Sequence, residues 1–131
     1  MKLYATSLLS LSLILFSAVY AEEYRNPSTF GAEEYEVVQI ARDDYMICLQ
    51  DESMALMDKL QDPRQMADVA MKTCANILQN LYTNITMQGF SPDVARKFTS
   101  NISNKGANAV LRNLMIISSR KDAEQTQTTS E

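Results

Sequence analysis

The sequence predicts an all-α fold: an antiparallel helical hairpin stapled by one disulfide, with a third long helix packed on it as a small three- to four-helix bundle. Three observations carry this. Apolar residues recur at three- and four-residue steps along most of the chain, which is helical spacing rather than strand alternation. The 131 residues hold only three glycines and three prolines, too few for the tight turns of an all-β domain. The two cysteines stand at matching distances from the turn that separates the first two helices.

Ahead of the helices, residues 1–21 read as a cleaved secretory signal peptide. Lys2 supplies the positive start, Leu8 to Phe16 the short apolar run, and Val19-Tyr20-Ala21 the small-residue cut site. The apolar run is shorter than the roughly 20 residues of a spanning helix. No later segment is apolar enough to cross a bilayer, so no membrane span is expected after cleavage. Residues 22–30 read as an irregular arm, because Asn26-Pro27 favours a turn and blocks an early helix.

The first helix is expected from near Gly31 to Leu60 or Gln61. Glu33, Glu34 and Glu36 in its first turns complement the positive end of the helix dipole. Its apolar stripe is Val37, Val38, Ala41, Tyr45, Cys48, Leu49, Ala55, Leu56 and Leu60, interrupted by Glu52. Asp62-Pro63 ends the first helix and starts the second, Asp62 as cap and Pro63 at the first helical position. The second helix then runs from Arg64 to about Met87. Ala67, Ala70, Cys74, Ile77, Leu81 and Ile85 form its stripe, the cleanest in the chain.

Gly89 is placed to end that helix in a left-handed conformation, and Ser91-Pro92-Asp93 to cap the third. Val94, Phe98, Ile102, Val110, Leu114 and Ile117 line one side of the third helix. Gly106 falls in the same phase. It either bends or breaks the helix near Ser103, or lets a neighbour approach closely. The single helical domain is expected over residues 31–118, and the polar residues 119–131 read as a disordered tail.

Cys48 and Cys74 are expected to be bonded. The position midway between them is 61, beside the Asp62-Pro63 turn, and both cysteines lie on apolar stripes. An oxidising compartment favours such a pair. The bond would close a loop of about 27 residues and contribute roughly 3.5 kcal/mol on the chain-entropy model. A redox-active pair usually sits as CxxC at a helix start, a spacing absent here.

Composition excludes several function classes. The chain has no histidine, so it has no Ser-His or Cys-His nucleophile pair and no imidazole ligand for a metal. Neither catalytic residues, nor a cofactor, nor a metal site are expected. The net charge is −4, and Lys2 leaves with the signal. Residues 22–65 hold 11 acids against 4 bases, a net −7, and residues 66–131 hold 5 acids against 7 bases, a net +2. The acidic balance argues against nucleic acid, which needs a concentrated basic face. Tyrosines and phenylalanines are scattered and form no stacking platform for bases.

Met54, Met57, Met66 and Met71 flank the turn at 61 and should gather toward one end of the hairpin. Methionine adapts its shape, so this end is the candidate partner surface for a protein. Core filling and Cu(I) binding by thioethers are the other readings of the same residues. Asn84-Ile85-Thr86 and Asn101-Ile102-Ser103 are acceptor patterns for N-glycosylation, relevant only in a eukaryotic secretory pathway.

The expected function is therefore that of a small exported, non-enzymatic binding or interaction protein, periplasmic or secreted. A homodimer is a further candidate, because three long helices share a thin core. In size, export signal and paired cysteines the chain is similar to small periplasmic helical proteins with one disulfide, among them acid-stress chaperones and immunity proteins against secreted toxins. That resemblance makes a stress chaperone or a toxin-immunity protein the alternative roles and carries no residue over. A hydrolase using paired carboxylates is the alternative from another class. It would need Asp43, Asp44, Asp51 and Glu52 to converge in a cleft, although adjacent residues on a helix point about 100° apart.

Overall fold

Gly31 opens the first helix, α1 (Ala32–Leu56), with an extended backbone, and the Glu34 carboxylate reaches back to accept the Gly31 N–H at 2.8 Å. This satisfies one of the donors a helix start leaves unpaired. A computed structural model describes residues 23–128 of the chain. The signal-peptide reading of residues 1–21 lies outside the described residues.

The elements that follow are α2 (Pro63–Thr73), α3 (Ala75–Met87) and α4 (Pro92–Thr128). Together they build an all-helical bundle of three rods: α1, the bent α2–α3 rod running back, and α4 running parallel to α1. Each rod touches the other two. Buried residues come from all of them: Val38, Tyr45 and Leu49 from α1, Met66, Ala67 and Ala70 from α2, Leu81 and Ile85 from α3, and Ile102, Val110 and Leu114 from α4. One shared core therefore serves the whole fold.

The punctuation is as expected. Asp62 accepts the Arg64 N–H at 2.9 Å, with Pro63 at the first helical position. Gly89 has φ 88°, and two hydrogen bonds close the end of α3: Gly89 N–H to the Thr86 carbonyl and Phe90 N–H to the Ile85 carbonyl. That pattern is a Schellman motif, which requires a residue tolerant of positive φ. Ser91 then caps α4, its hydroxyl accepting the Val94 N–H at 3.4 Å.

The structure corrects the sequence reading at several points. The first helix ends at Leu56, and Met57 to Lys59 turn tightly. Leu60 still packs against the core, but from the turn rather than from one more helical turn. Ala55 is exposed, and Ser53 takes the inward place instead. Its hydroxyl donates to the Gln50 carbonyl at 2.9 Å, so the buried oxygen is satisfied.

The second helix is two helices. Cys74 has φ −87° and ψ 1°, outside the helical range, and the Ile77 N–H bonds the Cys74 carbonyl three residues back. Periodicity does not register this hitch. Ala70, Cys74, Leu81 and Ile85 all stay buried across it. The third helix, by contrast, runs unbroken through Gly106. It also continues to Thr128, through much of the stretch read as a disordered tail. Residues 119–124 are exposed there. A polar composition prevents packing but not helix formation.

The N-terminal arm is docked. Pro27–Thr29 form one 3-10 turn, capped by Asn26 accepting from the Ser28 N–H. The Arg25 N–H bonds the Gly89 carbonyl at 2.8 Å, and its guanidinium reaches the Glu34 carboxylate at 3.1 Å and the Gln88 carbonyl at 3.3 Å. The same guanidinium lies 4.4 Å above the Phe90 ring.

Candidate functional site

The disulfide joins Cys48 of α1 to Cys74, with the two α-carbons 6.0 Å apart. Cys74 has no exposed surface and Cys48 is half-buried. The bond is thus a structural clip inside the core, placed where the hairpin spacing requires it.

The four methionines divide. Met57, in the turn, and Met66, at the start of α2, line one groove at the tip of the hairpin. Leu60 and Pro63 continue its floor, and Leu114 and Ile117 of α4 form the far wall. Lys121 and Asp122 stand at its polar edge, and the groove holds about 490 Å³. Met66 is buried and Met57 half-buried, so both serve the core and the groove at once. Met54 is exposed on the outside of α1 and borders a neighbouring groove with Val110, Leu114 and Ile116. Met71 faces a different hollow, against Tyr45, Leu78 and Tyr82. Only Met57 and Met66 of the predicted group therefore share a site. The helical phase decides this, because Met54 and Met71 stand on other faces of their helices.

The carboxylates do not gather. Asp43 is exposed and accepts two hydrogen bonds from its neighbour Arg42, at 2.9 and 2.8 Å. Asp44 borders a groove between α1 and α3 with Ile40, Ile77 and Asn84, and no second carboxylate lines it. Asp51 is exposed and Glu52 half-buried. Among the described residues no group of three or more acidic, cysteine or histidine side chains is arranged to hold a metal ion. No described helix is long and apolar enough to cross a membrane.

One carboxylate has a clear electrostatic setting. Glu34 is held below its ordinary pKa of 4.5, first by the Gly31 N–H it accepts and then by its own backbone N–H. The Arg25 guanidinium adds to this, and partial desolvation opposes it. The group latches the arm to α1.

An aromatic cluster escaped the sequence reading. Phe30 stacks on Phe98 with ring centres 4.6 Å apart and meets Phe90 at 5.0 Å and Tyr35 at 4.9 Å. These residues are scattered in sequence but converge at the end of the bundle opposite the methionine groove. Phe90 is fully buried and Phe30 and Phe98 pack half-buried against the core, with exposed Tyr35 meeting them at the rim, so the cluster covers that end. The acceptor asparagines Asn84 and Asn101 are both exposed on helices, and Asn84 accepts a 2.6 Å hydrogen bond from Gln88.

No protein-family model, no curated protein and no solved structure matches the chain.

Proposed function

We propose that this chain is a small exported, non-enzymatic binding protein whose working surface is the groove at the hairpin tip. The observation that carries the reading is the groove's construction. Met57, Leu60, Met66, Leu114 and Ile117 supply an apolar floor, while Gln61, Ser118, Lys121 and Asp122 make most of the surface it presents polar. A concave site with an apolar floor and convergent polar groups is a usual form of a binding pocket. Methionine lets such a site adapt to the side chains it receives. The partner is a protein segment that inserts apolar side chains between the tip and α4.

The extracytoplasmic location rests on the signal-like residues 1–21 and on the Cys48–Cys74 disulfide, which an oxidising compartment maintains. In a eukaryotic secretory pathway Asn84 and Asn101 would be the glycan acceptors, since both are exposed.

The test is a photo-crosslinking amino acid placed at Gln61, on the groove, and in a second protein at exposed Asn76 on α3. The expected result is one discrete adduct from Gln61 in the native fluid and none from Asn76. Equal labelling from both positions, or none from either, would remove the groove as the working surface. The chaperone version adds an expectation of its own, a rise in apolar-dye binding on acidification as the carboxylates of α1 lose charge. The immunity version expects one tight partner and no such rise.

A further inference from the structure

α1 carries seven acids, Glu33, Glu34, Glu36, Asp43, Asp44, Asp51 and Glu52, against one base, Arg42, which Asp43 already engages. α4 is the opposite. From Val94 to Ser119 it has four bases, Arg96, Lys97, Lys105 and Arg112, and no acid. Two adjacent parallel helices of opposite charge would be expected to pair with each other. Among the described residues no ion pair joins an acid of α1 to a base of α4: Glu34 pairs with Arg25, Asp43 with Arg42, and Arg96 with Asp93 of its own helix. The charges sit on outward faces.

The outward face of α1 has a second property. Ile40, Ile47 and Met54 are spaced by seven residues and are 55%, 59% and 55% exposed. At about 100° per residue this row lies nearly opposite the fully buried Tyr45 and Leu49. Glu36, Asp44 and Asp51 flank it, all exposed. The outward face of α4 shows Lys97, Lys105 and Arg112 with exposed Met115 and Ile116. On α1, apolar residues interleaved with charge of one sign at heptad spacing are the composition of a helix–helix seam that lacks its partner; on α4 the apolar pair stands at the Met54 end, and exposed Asn101 and Asn108 continue the face beside the bases.

The spacing matches between the two faces. Glu36, Asp44 and Asp51 are separated by eight and seven residues, and so are Lys97, Lys105 and Arg112. Their heights along the bundle match as well. Tyr35 meets Phe98 with ring centres 6.1 Å apart, Gly106 lies against Tyr45 and Leu49, and Met54 and Ile116 border one groove. The three acids therefore stand level with the three bases within one molecule. Rotation about an axis parallel to the rods leaves every height unchanged. It carries the α1 acids of one copy to the level of the α4 bases of the next.

We propose that the outer face of α1 docks onto the outer face of α4 of a second copy of this chain, with the rods parallel. Glu36, Asp44 and Asp51 then pair with Lys97, Lys105 and Arg112 around an apolar seam of Ile40, Ile47, Met54, Met115 and Ile116. The contact joins two different faces, so it repeats from copy to copy unless the rotation closes it. This surface is separate from the methionine groove, and neither reading needs the other.

Analytical ultracentrifugation of the purified protein tests it. At low ionic strength the average mass should rise with concentration, and at about 1 M salt, where charges are screened within roughly 3 Å, it should fall toward the monomer. Asp44→Lys/Asp51→Lys gives two basic faces, and Lys105→Glu/Arg112→Glu gives two acidic ones. All four positions are exposed, so each protein should keep the wild-type helical dichroism. Each alone should associate at least tenfold more weakly than wild type, and an equimolar mixture should regain association. Three results would each overturn the proposal: a wild-type monomer at on the order of 1 mM in low salt, reversed proteins associating as tightly as wild type, or a silent mixture. The salt dependence of the wild type poses the question without any substitution.

Discussion

Gly106 of α4 lies directly against Leu49 of α1. A β-carbon at Gly106 would stand 2.7 Å from Leu49 Cδ1 and 2.9 Å from Tyr45 Cε1. Leu49 and Tyr45 are 0% and 1% exposed, so both would have to shift within the core to admit a methyl at Gly106. The absence of a side chain at this one position sets how closely α1 and α4 approach.

Gly106→Ala tests that closeness. Alanine gains about 1 kcal/mol in helix propensity over glycine. Overpacking a tight core costs about 1–3 kcal/mol. The packing term wins at a contact this short, and we expect a net loss of about 1 kcal/mol, with a larger loss for Gly106→Val. Urea unfolding measures it. A midpoint for Gly106→Ala at or above wild type would show that the helices are not held at this distance.

The clip between Cys48 and Cys74 should dominate stability. Cys48→Ala/Cys74→Ala opens a loop of about 27 residues and should lower the unfolding free energy by roughly 3.5 kcal/mol. Domains of this size have only about 5–15 kcal/mol in total. Alanine is preferred to serine because Cys74 is fully buried and a hydroxyl there would need a partner. Denaturant unfolding of the oxidised protein with and without reductant gives the same comparison. Superimposable curves would contradict a stabilising bond.

Gly89 holds φ 88°, and a β-carbon there would sit 3.4 Å from the Arg25 side chain. Space is therefore adequate and backbone strain is the deciding cost. Gly89→Ala should lose about 1–2 kcal/mol, the usual penalty of the left-handed region for an L-residue. Gly89→Asn should lose less, because asparagine tolerates that region. Thermal unfolding of the two proteins should rank them in that order, and the reverse ranking would count against the strain account.

Glu34 makes the arm sensitive to acid. Its pKa in the folded protein lies below 4.5, so the latch contributes stability above the unfolded value and loses it as pH falls through the lowered one. The Gly31 amide resonance should titrate with a midpoint below 4.5. Glu34→Gln keeps an acceptor for that amide but does not titrate, so its profile should be flat across the same range. A wild-type midpoint at or above the ordinary value would refute the latch.

Much of this fold was legible in the chain because its signals are local. Asp62-Pro63, Gly89 and Ser91-Pro92 each act within one turn of backbone, and each stands where it was expected. The cysteine pairing followed from arithmetic about a single turn. Periodicity was less exact about ends and hitches. It carried the first helix past Leu56 and ran straight through Cys74, because a stripe can continue while the backbone changes. It also put Ala55 inward where Ser53 is buried, since composition does not foresee a hydroxyl satisfied by its own helix.

The sequence by itself determined the all-helical class, the caps, the hairpin and the partner of each cysteine. These depend on interactions between residues a few positions apart, or on symmetry about one turn. Only the tertiary structure decided that Phe30, Tyr35, Phe90 and Phe98 close one end, and that Met57 and Met66 share a groove while Met54 and Met71 do not. It alone resolved Gly106 as a point of close approach in an unbroken helix, and set the acids of α1 level with the bases of α4. The physical reason is common to all of them. Each depends on the rotation and height of one rod against another, which many packing contacts set together and no single stretch of chain encodes.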